Sequence, residues 1–178
     1  MSGLAELYQS VIVEHDRSPR NFRTLAAPSV RAEGRNPLCG DEVSVEIALD
    51  AGNRIVDIAF QGQGCAISRA SASMMTGALR GKTAAEALEM FDRFHALMTG
   101  TADADAASLG KLQAFGGVAG FPMRVKCATL PWHAMREALE LGARSPEVAQ
   151  GSEPGASPAP GAQSPPGARS QPSAESPE

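Results

Sequence analysis

The order of apolar patterns along the chain predicts an α+β fold. A helical pattern comes first, two alternating runs typical of strands follow, and helical patterns fill most of the chain from there to about residue 143. Strands and helices that occur in separate blocks, rather than in strict alternation, are typical of this class. A chain of 178 residues is long enough for one ordinary domain with a moderate core, and too short for two.

The predicted strands lie between residues 29 and 61. Residues 42–49 alternate apolar and polar side chains, "DAGN" supplies a turn, and "RIVDIAFQ" returns, so the two runs predict a β-hairpin with one buried face. A weaker apolar pattern from about Ser29 to Arg35 predicts a third strand at the edge of this hairpin.

Helices are predicted on both sides of the strands. The first ends before Pro19, the second follows Cys65, and the third opens with a capping box at Thr83. Residues 101–108 are predicted to form a loop, "FGGVAG" a flexible turn and "FPMRVKC" a short extended piece. The last helix is predicted over "TLPWHAMREALELGA", with Pro131 in its first turn.

The tail and the overall charge exclude several classes of function. Residues 144–178 hold eight of the thirteen prolines and no aromatic residue, which predicts a disordered tail after a domain of residues 1–143. A net charge of -4 argues against nucleic acid or an anionic membrane as the main partner. No apolar run approaches about 20 residues and no charged-then-apolar leader is present, so we expect a cytoplasmic protein.

The three cysteines are the residues most informative about function. An odd number cannot pair completely, which leaves metal binding, thiol chemistry or simple burial as interpretations. Cys65 and Cys127 each precede a predicted helix, whose positive end would favour the thiolate. Cys39 lies in "NPLCGD", where the following glycine gives the backbone freedom to move.

Asp41 completes a possible ligand set. Three thiolates and one carboxylate suffice for a four-coordinate zinc site, and a C-x-D pair can bind one metal from a tight loop. The predicted set is therefore Cys39, Asp41, Cys65 and Cys127. The cysteines are far apart and no C-x-x-C knuckle is present, so spacing alone leaves a metal site and three unrelated thiols equally open.

Four segments decide between these interpretations by resemblance. "HDRSPRNF", "NPLCGDEVSVEI", "FQGQGCAISRASASMMTGALRGK" and "FPMRVKCATLPWHAMREAL" resemble, in order, the SufU-type proteins, the zinc-bearing branch of the IscU/NifU-type iron-sulfur cluster assembly family. The similarity extends over residues 4–140 and includes all three cysteines. It implies a small antiparallel sheet of about three strands, packed against several helices on one face.

The resemblance also implies roles for particular residues. Cys39, Asp41, Cys65 and Cys127 match the zinc ligands, Cys39 matches the cysteine that accepts persulfide sulfur, and Arg124 matches an arginine that assists at the site. The implied donor is a pyridoxal-phosphate-dependent cysteine desulfurase of the SufS type. The implied acceptor is a downstream SUF cluster-assembly complex, so the expected activity is that of a sulfurtransferase.

The alternative within the family is a scaffold that binds a [2Fe-2S] cluster with the same ligands. IscU-type scaffolds carry a histidine directly before the last cysteine, where this chain has Lys126, and a Leu-Pro-Pro-Val-Lys motif that is absent here. The segment from about Lys82 to Phe115 is also longer than in the scaffold branch. These departures favour sulfur transfer with zinc over cluster building.

Overall fold

The α+β prediction is confirmed by the computed structural model, which describes residues 2–101 and 106–144. A sheet of three strands and the helices around it make up these residues. In chain order, the elements are α1 (Ser2–Arg17), β1 (Val30–Asn36), β2 (Asp41–Leu49), β3 (Ile55–Gln63), α2 (Ala66–Leu79), α3 (Ala84–Thr99), a 3₁₀ segment (Ala106–Val118) and α4 (Pro122–Arg144).

The sheet is antiparallel, with β2 between β1 and β3. The predicted hairpin is β2 and β3, and the weakly predicted edge strand is β1. Asp50 closes the hairpin turn, because its Oδ1 accepts the backbone N–H groups of Gly52 and Arg54, both at 2.9 Å. Side chains that alternate along β2 point into the core, and Val45 and Ile47 are fully buried.

The helices build the core on the sheet. α2 and α4 pack against the strands, α1 packs against α2 and the 3₁₀ segment, and α3 packs against α4. Three buried aromatic rings join the outer helices: Phe94 stacks on Trp132 with ring centroids 4.6 Å apart and meets Phe115 edge-on at 5.6 Å. No described helix combines the length and the apolar character needed to span a membrane.

One charged residue on the polar face of β2 is buried. Glu46 alternates with the core residues, yet it is only 7% exposed. Its Oε2 accepts the backbone N–H of Leu25 at 2.7 Å, and Arg31 lies 3.4 Å from its Oε1. The chain between α1 and β1 therefore crosses this part of the sheet, and the buried carboxylate has the partners that its burial requires.

The prediction for the last helix is wrong at its start. "FPMRVKC" is helical rather than extended, because α4 begins at Pro122. Pro131 therefore lies inside the helix, where it has no N–H to donate to the carbonyl of Cys127 four residues earlier. The helix continues through Pro131 since its middle is packed in the core, with Ala128, Trp132 and their neighbours buried.

The predicted loops before α4 are partly wrong as well. Residues 106–118 form the 3₁₀ segment, with a kink at Gly110, so "FGGV" is ordered rather than a flexible turn. Residues 102–105 of the predicted loop lie outside the described residues. The predicted disordered tail does too, apart from Arg144, which is the last residue of α4.

Candidate metal centre

A tight turn between β1 and β2 holds Cys39. The carbonyl of Asn36 accepts the backbone N–H groups of Cys39 and Gly40, at 3.2 and 2.9 Å, and the Asn36 amide donates to Cys39 Sγ at 3.3 Å. Gly40 has φ 68°, a left-handed conformation that favours glycine. The turn thus presents a half-buried thiol from a backbone with few side-chain constraints.

Asp41 is the first residue of β2 and points inward. It is 1% exposed, its Oδ1 accepts the backbone N–H of Cys65 at 2.9 Å, and its Oδ2 lies 3.6 Å from Cys65 Sγ. Cys65 is the N-cap residue of α2, as predicted, so the carboxylate stands at the positive end of that helix. A side chain on Gly64 would press on Asp41, since its Cβ would lie 3.1 Å from Oδ1.

Cys127 reaches the same place from α4. Its side chain is fully buried, and its Sγ lies 3.2 Å from Cys39 Sγ. The prediction that Cys127 sits at a helix start is wrong, because it lies inside α4. Burial raises the pKa of the Cys127 thiol above its usual range, and contacts with Cys39, Asp41 and Cys65 raise it further.

These side chains form a donor set of the right chemistry for a metal ion. Ligand atoms of Cys39, Asp41 and Cys127 all lie within 4.8 Å of one another. Two sulfurs bound to one zinc ion at about 2.3 Å each in a tetrahedral site are about 3.8 Å apart, so the 3.2 Å between Cys39 and Cys127 Sγ would have to open slightly to hold a shared ion. Cys65 lies outside that tight group and adjoins it through Asp41 and Cys127.

Comparison with known proteins identifies the family. The NifU-like N-terminal domain pattern matches residues 7–128, which include all four of these residues. The chain belongs to the NifU-like N-terminal domain family. Its fold agrees, since a nitrogen-fixing NifU-like protein (N-terminal) from Brucella abortus superposes with a TM-score of 0.71 at 23% identity, covering 79% of this chain and 97% of that one.

Relatives in the family carry two kinds of name. The zinc-dependent sulfurtransferase SufU of Bacillus subtilis is 42% identical over 138 residues, which cover 78% of this chain and 92% of SufU. The iron-sulfur cluster assembly scaffold protein IscU of Streptococcus pyogenes serotype M1 is 39% identical over 145 residues, which cover 82% and 90% of the two chains.

A solved structure from Fervidobacterium islandicum, described as a candidate iron-sulfur cluster assembly scaffold for the SUF system, is similar as well. It has a TM-score of 0.69 and 39% identity, and the match covers 72% of this chain and 93% of that one. The two kinds of name therefore occur at nearly equal identity, and identity alone does not separate sulfur transfer from scaffolding.

Of the predicted site residues, only Arg124 makes no contact with the cysteine thiols or Asp41. It is exposed, precedes Cys127 by one helical turn on α4, and makes no side-chain hydrogen bond or ion pair with any described residue. Residues three apart on a helix share a face. Arg124 thus lies one turn from Cys127 along α4, and no hydrogen bond or ion pair joins it to the ligand atoms.

Sequence reasoning missed Asn36. Its side chain is 8% exposed, donates to Cys39 Sγ and accepts the backbone N–H of Leu38 at 3.2 Å. The available signal was the position itself, since an asparagine that precedes a proline in a short polar turn often bonds to the backbone two residues on. Asn36 therefore holds the turn that carries Cys39.

Proposed function

We propose that this protein is a zinc-bound sulfurtransferase of iron-sulfur cluster assembly, with Cys39 as the persulfide acceptor. The observation that carries the proposal is the difference between the two adjacent thiols. Cys127 is fully buried inside a helix, whereas Cys39 is half-buried on a turn with a left-handed glycine. One thiol is fixed in the core, and the other can be presented to a partner.

Cys39, Asp41, Cys65 and Cys127 would hold the zinc ion. Thiolate and carboxylate groups are ligands that zinc prefers, and four of them close a tetrahedral site. When bound, zinc would supply a thiolate at neutral pH, because the coordinated sulfur has lost its proton. Asp41 already serves as an acceptor at the start of α2, which holds its carboxylate toward the thiols.

The donor in this proposal is a cysteine desulfurase of the SufS type, dependent on pyridoxal phosphate, that carries a cysteine persulfide. The Cys39 thiolate attacks the outer sulfur of that persulfide, and a new sulfur-sulfur bond forms on Cys39. The bond within the donor's persulfide breaks, and the donor's cysteine leaves as a thiolate. No external oxidant or reductant is needed. Cys39 then delivers the sulfur to a SUF cluster-assembly complex in the cytoplasm.

Two side chains of this protein would assist at Cys39. The Asn36 amide donates to the Cys39 sulfur at 3.3 Å and would stabilise negative charge on it. Arg124 is exposed near Cys127 and free of ion pairs among the described residues, so its guanidinium is available to offset the negative charge of a site built from three thiolates and a carboxylate. Both roles are electrostatic.

The competing function is a scaffold that carries a [2Fe-2S] cluster as its cargo on the same residues. Sulfur transfer is supported by the sequence between the second and third cysteines. The resemblance implies a histidine directly before the last cysteine of the scaffold branch, where this chain has Lys126, and a shorter stretch in that branch than the one that α3 and the 3₁₀ segment fill here.

The test measures metal content and desulfurase stimulation on the same samples. We expect freshly purified protein to contain stoichiometric zinc, to be colourless and to stimulate a SufS-type desulfurase. Cys39→Ala should abolish stimulation, and Asp41→Ala should lose zinc. Thr99→Ala, an exposed change at the end of α3, is the control and should behave as wild type. Iron, sulfide and a brown colour would support the scaffold instead, and a Cys39→Ala variant that still accepts sulfur would refute the proposal.

A further inference from the structure

A second site is suggested by a cavity that the thiols do not line. It has a volume of about 320 Å³ and lies where the C-terminal end of α1 meets α2 and the 3₁₀ segment. Its apolar residues are almost fully buried, whereas two of its basic residues are exposed, so it has an apolar floor and a basic rim. The floor includes Met74, Leu109 and Leu112, and the basic residues are His15, Arg20 and Lys111.

Ser73 contacts one of the two ring nitrogens of His15. The Ser73 hydroxyl accepts the backbone N–H of Arg20 at 2.8 Å and lies 2.7 Å from His15 Nδ1. A hydroxyl has one proton, and in one tautomer of the ring it donates that proton to Nδ1. When Ser73 donates to Nδ1, the neutral imidazole carries its own proton on Nε2. Nε2–H is then a hydrogen-bond donor.

The other ring nitrogen of His15, Nε2, is open to solvent. Nε2 has no hydrogen-bond partner among the described residues, although His15 is only 5% exposed. Among the described residues, every side-chain polar atom that is closed off from solvent has a hydrogen-bond partner. Nε2 must therefore reach solvent, and the surface to which His15 contributes is the wall of this cavity. A buried donor aimed into a cavity is a group that a ligand can satisfy.

Arg20 and Lys111 add two positive charges beside that donor. Burial lowers the pKa of His15 most; Arg20 and Lys111 lower it further and Glu14 raises it, so all three charges act at the ring. No acidic residue is among the described residues that line the cavity. The counter-charge nearest to Arg20 is Glu14, 3.6 Å away, and both side chains are more than half exposed. Exposed ion pairs of this kind are weak and can be displaced by a ligand.

We propose that this cavity binds a small organic anion, whose carboxylate lies against His15 Nε2–H, Arg20 and Lys111 and whose short aliphatic body lies on the apolar floor. Cavities that bind small molecules have volumes from about 300 Å³ upward and pair an apolar lining with a few convergent polar groups. The proposal is independent of sulfur transfer, because none of the described lining residues belongs to the metal centre.

The experiment is a titration of the full-length protein with isovalerate, followed by the backbone amide signals of Gly77 and Gly110, which both line the cavity. We expect saturable shifts of these signals with isovalerate and none with isovaleramide, which keeps the aliphatic body and lacks the charge. Arg20→Gln and Lys111→Gln should each weaken binding by about two- to five-fold. Arg17→Gln is the matched control, since Arg17 is exposed on α1 and does not line the cavity.

Four results would overturn the proposal. The first is no saturable shift with isovalerate, and the second is an equal response to isovaleramide. The third is binding that Arg17→Gln weakens as much as Arg20→Gln, which would indicate general charge attraction only. The fourth comes from the same titration with inorganic phosphate: phosphate binding as tight as that of isovalerate would contradict the role of the apolar floor.

Discussion

The Ser71→Ala substitution removes a polar link between α2 and α4 next to the candidate metal centre. Ser71 is fully buried, and its hydroxyl donates to the carbonyl of Ala128 at 2.6 Å. The same oxygen accepts the indole N–H of Trp132 at 3.2 Å. Ala128 directly follows Cys127, so this pair of hydrogen bonds holds the segment of α4 that carries the buried thiol.

The expected cost follows from these two bonds. Without the hydroxyl, the buried indole N–H of Trp132 has no partner, which costs about 1–3 kcal/mol, and loss of the bond to the Ala128 carbonyl adds about 1 kcal/mol. We expect Ser71→Ala to lower the free energy of unfolding by about 2–4 kcal/mol. With an m value of about 2 kcal/mol/M, the urea midpoint falls by about 1–2 M.

Urea unfolding followed by tryptophan fluorescence measures this directly, because Trp132 is the single tryptophan. All samples need the same free zinc concentration, since zinc bound at the candidate site of the folded state would add to stability. Ser68→Ala is the control: Ser68 lies one turn earlier on α2, and its side chain has no hydrogen bond to another described residue. A loss below about 1 kcal/mol for Ser71→Ala, or equal losses for both variants, would refute the reasoning.

Three further predictions concern stability. Gly62→Ala should lower the free energy of unfolding by more than about 1 kcal/mol, because Gly62 has φ 144° and a Cβ there would overlap the backbone of Glu42. Gly77 is exposed on α2 with open space around it, so Gly77→Ala should instead raise the free energy of unfolding by about 0.5–1 kcal/mol. Equal effects of the two substitutions in denaturant unfolding would contradict this account. Thr83→Ala breaks the capping box of α3 and should lower the free energy of unfolding by about 1 kcal/mol, measured the same way. No change would show that the cap does not contribute to stability. Burial and nearby cations lower the pKa of His15 from 6.5, so the unfolded state takes up the proton first as the pH falls. The free energy of unfolding should therefore decrease as the pH drops below 6.5. His15→Gln should flatten this part of the pH profile, and an unchanged slope would exclude His15 as its source.

Local signals explain which elements could be predicted from the sequence. The β2–β3 hairpin and the capping box at Thr83 depend on residues a few positions apart, and both are observed. The position of Cys65 at the start of α2 is local in the same way. The start of α4 was missed because a proline is common in the first turn of a helix, and Pro122 and Pro131 both fit that pattern. Burial of Trp132 and its neighbours offsets the cost of the inner proline.

The meeting of the thiols could not be predicted from spacing. Cys39 and Cys127 are 88 positions apart, and their contact depends on how α4 packs across the edge of the sheet. The chemistry of the donor groups proposed the ligand set, resemblance to a family supported it, and the structure brings Cys39, Asp41 and Cys127 together. The polar support from Asn36 was missed, since hydrogen bonds to a sulfur depend on the geometry of the turn.

The most direct test of sulfur transfer is to locate the transferred sulfur. The protein is incubated with a SufS-type desulfurase and cysteine, its thiols and persulfides are alkylated, and peptides containing Cys39, Cys65 and Cys127 are analysed by mass spectrometry. We expect one added sulfur on the Cys39 peptide and none on the Cys127 peptide, because Cys127 is fully buried. A protein that keeps its zinc and shows no persulfide on any cysteine would contradict the account and indicate a structural metal site.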